Sequence, residues 1–158
     1  MTLFLSLSHL HFAGSASRIE GGGNLSCSLI VQDRENRTME TRTEIFRTVE
    51  ESGLAVNMKS GSLRVLATPQ MIAWMEEAAC LLAPLEEGQT SVGIRMDVSH
   101  DAPSALGAKI RIEAELKEVR GKILTYHVAA WCDETCIGKG EHVRAIVNAD
   151  RFMAKLQG

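Results

Sequence analysis

Hydrophobic and polar positions divide this chain into one helical stretch and a run of strands. The helical stretch reads Thr68-Pro69-Gln70-Met71-Ile72-Ala73-Trp74-Met75-Glu76-Glu77-Ala78-Ala79-Cys80-Leu81-Leu82. Met71, Met75, Ala78 and Leu82 recur at i, i+4, i+7 and i+11, which is one face of a helix, and Ile72 and Ala79 widen it. Thr68-Pro69 is a start signal. Threonine accepts a bond from a free first-turn N–H, and proline suits the first helical position. Pro84 and Gly88 mark the end. The polar exterior is thin, which predicts a helix covered on most sides.

Period two follows. Val92, Ile94, Met96 and Val98 alternate with Gly93, Arg95, Asp97 and Ser99. Ile110, Ile112, Ala114 and Leu116 alternate with Arg111, Glu113, Glu115 and Lys117. Each pattern predicts a strand with one buried face. Arg120-Gly121-Lys122 is a hairpin signal, residues 124–132 return, Asp133-Glu134-Thr135 turns again, and residues 137–148 form the last strand. A preceding strand is expected between residues 54 and 66. One long helix buried against a curved antiparallel sheet of about five strands is an α+β solution.

Residues 1–38 show no sustained period. They hold Gly21-Gly22-Gly23, scattered serines and a short apolar run, Leu3-Phe4-Leu5. An apolar start followed by Ala13-Gly14-Ser15-Ala16 has a signal-peptide flavour, but no basic n-region precedes it, and His9 and His11 interrupt it. Asn24-Leu25-Ser26 and Asn36-Arg37-Thr38 are glycosylation sequons that matter only after secretion. A further reading fits better. Met39 opens a charged, helix-prone segment, and purine-rich codons resembling a bacterial ribosome-binding site can encode Asp33-Arg34-Glu35-Asn36-Arg37 just before it. Residues 1–38 are then an upstream extension, and 39–158 are the domain.

Composition narrows the function. A chain of 158 residues suits one domain. Net charge is -3, so no global basic field recruits nucleic acid or an anionic membrane. Aromatics are 4%, too few for base-stacking platforms. No stretch approaches the roughly 18 apolar residues needed to cross a bilayer. Cys27, Cys80, Cys132 and Cys136 match no zinc spacing, and no Cys-x-x-Cys is present. Cys132 and Cys136 are close enough in sequence to meet across a hairpin; reduced thiols in a cytoplasmic protein are the expected state.

The candidate chemistry is a carboxylate, an imidazole and a hydroxyl. Glu76 flanks the buried stripe, whereas Glu77 is turned about 100° away. His100 continues the parity of Met96 and Val98, so it is expected to project from the buried face at the strand's end. Gly93, in mid-strand, marks a bulge or a close backbone approach; either it exposes an N–H to a ligand or it makes room for the helix. Thr68, Glu76 and His100 together supply orientation, a base or nucleophile, and proton transfer. No G-x-S-x-G elbow is present. His142 and Arg144 share a face of the last strand, where ordinary sheet-surface roles are expected.

The residues Val65-Leu66-Ala67-Thr68-Pro69-Gln70-Met71-Ile72-Ala73-Trp74-Met75-Glu76 carry a resemblance, joined by Gly88-Gln89-Thr90-Ser91-Val92-Gly93, His100-Asp101-Ala102-Pro103-Ser104 and Ile137-Gly138-Lys139-Gly140-Glu141-His142-Val143-Arg144. Over most of residues 39–155 the chain resembles the hotdog-fold thioesterases of the fluoroacetyl-CoA thioesterase family. That resemblance implies a long helix wrapped by an antiparallel sheet. It implies a homodimer, or a dimer of dimers, with acyl-CoA sites at the subunit interface. It places the family's catalytic residues on Thr68, Glu76 and His100, its active-site glycine on Gly93, and an arginine near the site on Arg144. No metal or redox cofactor is implied beyond the coenzyme A of the substrate. The fluoroacetyl-specific enzyme has aromatic lid residues before its catalytic threonine, whereas here nothing between Phe46 and Trp74 is aromatic. Hydrolysis of a small acyl-CoA without strong fluoroacetyl preference is the expected activity. A non-catalytic acyl-CoA binding module is the alternative, and a hydratase lacks its Asp/His signature.

Overall fold

A computed structural model describes residues 41–157. The leader 1–38, the proposed start at Met39, both sequons and Cys27 lie outside the described residues. Among the described residues five strands form one antiparallel sheet in the order β1-β3-β4-β5-β2. They are β1 (Arg42–Thr48), β2 (Gln89–Val98), β3 (Lys109–Arg120), β4 (Ile123–Cys132) and β5 (Thr135–Asn148). A long helix, α1 (Thr68–Leu81), packs across the inner face, and a short helix, α2 (Ala149–Ala154), follows β5. The core lies between α1 and the sheet. Met71, Met75, Ala78 and Ala79 meet Ile110, Ile112, Leu124, Tyr126 and Ala130, all fully buried.

Strand β3 turns inward the face that its period-two pattern predicts. Ile110, Ile112, Ala114 and Leu116 of β3 face inward, as do Leu124, Tyr126, Val128 and Ala130 of β4. Gly121 and Lys122 connect β3 to β4, with Gly121 at φ +60°. Turn residues with positive φ match the right-handed twist of a tight hairpin, and glycine adopts them without strain.

Four expectations change, the last of them in β2. The segment after Met39 is strand β1, not helix. Its alternation of exposed Arg42 and Glu44 with half-buried Thr43 and Ile45 fits a sheet edge, and pairing with β3 overrides local helix propensity. Residues 54–66 do not form a strand. They make a turn-rich loop closed by single bridges, Leu54 to Leu66 and Val65 to Ala105. Leu54 and Leu66 are buried anchors, while the polar and glycine-containing stretch between them lacks alternation and stays exposed. The helix is also less enclosed within one chain than its composition suggests. Ala73, Glu77, Cys80 and Leu81 are exposed, while Trp74 is buried.

Strand β2 carries the change that matters most for the site. Its register against β5 shifts between Gly93 and Arg95. Residues opposite one another in a ladder share a face. Ser91 and Gly93 lie opposite Ile146 and Arg144, whereas Met96 lies opposite His142. The bulge therefore swaps the inward parity at Ile94. Val92 and Ile94 do not face the core as the simple alternation predicts, and Ile94 is 56% exposed. Gly93 takes the inward position instead.

Candidate functional site

Two groups of polar side chains flank α1. The first lies at its N-terminus. Thr68 is the first helical residue, and the cap position belongs to Ala67, which makes no side-chain cap bond. The Thr68 hydroxyl, expected to cap the helix, instead meets His100 Nδ1 at 2.8 Å. His100 sits just past β2, in a turn pinned to β5. Ser99 N donates to Lys139 O at 2.9 Å and Asp101 N donates to Ile137 O at 2.7 Å. The other ring nitrogen of His100, Nε2, is buried and has no partner among the described residues. A cavity of about 390 Å³ opens here, bounded by Ser60, Ser62, Leu63, Thr68, His100 and Pro103.

The second group lies two helical turns further along. Glu76 Oε1 is 3.7 Å from His142 Nε2 and 3.8 Å from Arg144 Nη1, with its side chain 42% exposed. A Cβ on Gly93 would stand 2.5 Å from that same oxygen and 3.1 Å from His142 Cε1. Any larger residue would make the carboxylate swing aside from this position, so the close-approach reading of Gly93 holds. Arg144 is held from three directions. Its Nε donates to Ser91 Oγ at 2.9 Å, its Nη2 donates to Ser91 O at 2.8 Å, and its Nη1 meets His142 Nε2 at 3.0 Å.

His142 and Arg144 correct the surface role expected of them. They are 0% and 5% exposed, and they face inward because β5 runs with the parity of Ile146. Burial lowers the pKa of His142 below its ordinary value. Arg144 adds to that effect, and the bond to the Arg95 carbonyl and the nearby Glu76 oppose it. Tyr126, stacked on His142 at 6.3 Å between ring centroids, has its pKa pushed up to about 12, chiefly by burial. Sequence reasoning missed His142 and Ser91. The signal available was the pairing of a histidine and an arginine two apart, on a strand whose partner carries the mid-strand glycine.

Thr68 and His100 come together; Glu76 joins Gly93 and Arg144; the two groups do not meet within one chain. Eight residues of helix separate Thr68 from Glu76, about 12 Å of rise. Gly93 and His100 stand at opposite ends of most of β2, roughly 20 Å of strand. Glu77 lies outside both groups. It is exposed and ion-paired with Arg47 of β1, as the helical phase predicted. Cys80, Cys132 and Cys136 form no disulfide among the described residues, and in the hairpin register Cys132 faces Thr135, not Cys136. Among the described residues no three His, Cys, Asp or Glu side chains converge as metal ligands would. No described helix is long and apolar enough to cross a membrane. A larger cavity of about 580 Å³ lies on the opposite sheet face and includes none of the site residues.

Comparisons with known proteins bear on these groups. The family model described as fluoroacetyl-CoA-specific thioesterase matches residues 49–150, a span that holds every residue of both groups. A fluoroacetyl-CoA thioesterase from Streptantibioticus cattleyicolor is 37% identical over 95 residues, which cover 59% of this chain and 68% of that protein. A solved structure of a fluoroacetyl-CoA thioesterase is similar with a TM-score of 0.70 at 30% identity, covering 73% of this chain and 92% of that one. A hot-dog-like protein from Thermanaerovibrio acidaminovorans shares the fold with a TM-score of 0.69 at 21% identity, covering 76% of this chain and 90% of that one.

Proposed function

This chain belongs to the fluoroacetyl-CoA-specific thioesterase family and is a thioester hydrolase, and we propose that it cleaves small acyl-CoA thioesters at a site built from two copies of the chain. One copy contributes Thr68 and His100. The other contributes Glu76, Gly93 and Arg144. The observation that carries this reading is the separation of the two groups along α1 and β2, together with the position of β2 at the edge of the sheet that the described residues form. An edge strand offers unpaired backbone donors and acceptors to another strand. Antiparallel pairing of two β2 strands about a two-fold axis near Met96 lays the His100 end of one against the Gly93 end of the other. Each complete set then occurs twice in a symmetric dimer.

In that arrangement the Glu76 carboxylate either attacks the thioester carbonyl, forming an acyl–glutamate anhydride that water then cleaves to the free acid, or takes a proton from a water that attacks the carbonyl directly. His100 passes a proton through its uncommitted Nε2 to the departing sulfur of coenzyme A, and Thr68 orients the imidazole. The backbone around Gly93 supports the developing oxyanion, where fixed amide donors act most strongly. Arg144 lines the acyl end of the site. Carboxylate, imidazole, hydroxyl and water suffice for thioester hydrolysis, so no metal or redox cofactor enters the scheme. Cys80, Cys132 and Cys136, without a disulfide among the described residues, fit a cytoplasmic setting.

Complementation tests this reading. Glu76→Gln and His100→Ala chains are each nearly inactive in thiol-release assays on acetyl- and butyryl-CoA. Mixed after denaturation and refolded together, they form heterodimers with one intact site, and about a quarter of wild-type activity returns from random pairing. If both variants are dead alone and the mixture stays dead while heterodimers form, the shared site is wrong.

A further inference from the structure

His142 has no part in the scheme above, yet it is the most deeply buried polar side chain at the site. Its partners fix its protonation. The Arg95 carbonyl, 2.9 Å from Nδ1, only accepts, so Nδ1 carries the hydrogen. The Arg144 guanidinium, 3.0 Å from Nε2, only donates, so Nε2 presents a lone pair. One state satisfies both neighbours: the neutral imidazole with hydrogen on Nδ1. The protonated ring sets two N–H donors against each other, and the other tautomer loses both bonds.

Resting on the thioesterase reading, we propose that His142 is a positioning residue: as a neutral Nδ1–H imidazole it anchors Arg144 so that the guanidinium faces the Glu76 carboxylate. The anchor starts at the bulge. The carbonyl that His142 grips belongs to Arg95, directly after the register shift that turns Gly93 inward. One imidazole thereby ties the bulged strand, the arginine and, through it, the carboxylate into a single arrangement. The charged and titratable groups that face it are Arg144 from β5, Glu76 from α1 and Tyr126 from β4. Its burial favours the uncharged ring.

The test has two arms. In the first, two-bond proton–nitrogen NMR of the wild-type protein reads the His142 ring directly. The expected signature is hydrogen on Nδ1 and a bare Nε2, persisting below pH 6.5. An Nε2–H tautomer, or a doubly protonated ring at pH 7, overturns the proposal. This arm needs no turnover, so it stands even if the acyl-CoA reading fails; that failure shows instead as wild-type protein without thiol release. In the second arm, kcat and KM are measured in a double-mutant cycle. His142→Phe lowers kcat at least about 10-fold with KM nearly unchanged, within the roughly 10²-fold that a 1 Å misplacement costs. In an Arg144→Met background the same change costs almost nothing, because the residue it acts through is gone. His142→Gln, whose amide both accepts from Arg144 and donates to Arg95 O, keeps most of kcat and serves if the phenylalanine variant does not fold. An equal loss in both backgrounds, or a glutamine variant that folds yet is as slow as phenylalanine, overturns the proposal.

Discussion

At Gly93 the absence of a side chain lets the Glu76 carboxylate keep its position beside His142 and Arg144. Gly93→Ala puts a methyl 2.5 Å from Glu76 Oε1, so the carboxylate must move. We expect kcat to fall by on the order of 10²-fold, the cost of a displaced reacting group, with a melting temperature close to wild type; an alanine variant of full activity refutes the steric argument. Glu76→Gln and His100→Ala are each expected to lower turnover by roughly 10²-fold or more, the scale of a lost acid or base. Glu77→Gln leaves turnover nearly unchanged, since its side chain serves Arg47; steady-state kinetics on the three variants separates them. His142 also sets a pH dependence of stability. Its folded pKa lies below the unfolded value of 6.5, so between the two the unfolded chain binds the extra proton. Its contribution is fully present above pH 6.5 and declines as pH falls through that window. Thermal melts from pH 8 to 5 check this, with a flatter acid side in His142→Gln. The positions of Thr68, Glu76 and His100 were legible from helical phase and the later half of β2, while the roles proposed for them come from the resemblance. His142 was not legible. Its burial depends on which face of β5 meets the bulge in β2, and no alternation along β5 alone reveals that.

Among the elements, α1 and strands β3 to β5 follow from periodicity, and the hairpin turns from their glycine and acidic residues. What the pattern did not show is tertiary in origin. Strand β1 is a strand because β3 offers it an edge, and the loop at residues 54–66 is anchored by two leucines without being a strand. Helix α1 is held by its methionines. Met71 is fully buried and lies so close to β5 that a Cβ on Gly138 would stand 2.8 Å from its sulfur. Met71→Ala is expected to cost about 2–5 kcal/mol, the range for truncating a buried long apolar side chain. Urea denaturation measures it, and a loss below the lower bound shows that the site collapses around the gap. Strand β2 is the element on which assembly turns. Ile94→Lys puts a strongly hydrated charge into the proposed β2–β2 seam, where burying it is costly, so light scattering should show one chain instead of two while circular dichroism is unchanged. A dimeric, active lysine variant contradicts that seam.

For the whole molecule, the loop beside the proposed site bears on the choice of acyl group. The cavity beside Thr68 and His100 is bounded by Ser60, Ser62 and Leu63, and no aromatic side chain comes from that loop. Shape alone separates acyl groups of similar size by about 1–3 kcal/mol, so fluoroacetyl-CoA is expected to gain little over acetyl-, butyryl- or phenylacetyl-CoA. Values of kcat/KM for the four under one set of conditions decide it, and a fluoroacetyl preference above about 10⁴-fold, far beyond shape alone, contradicts it. The edge position of β2 has a consequence for the life of the protein in a cell. A strand with open backbone groups is adhesive, and on the shared-site reading a lone subunit is also catalytically silent. A newly made chain therefore gains its activity and loses its stickiness in the same encounter. Scarcity of the protein then acts as an off state, and the orphan subunits that scarcity leaves behind are those that chaperones and proteases can recognise.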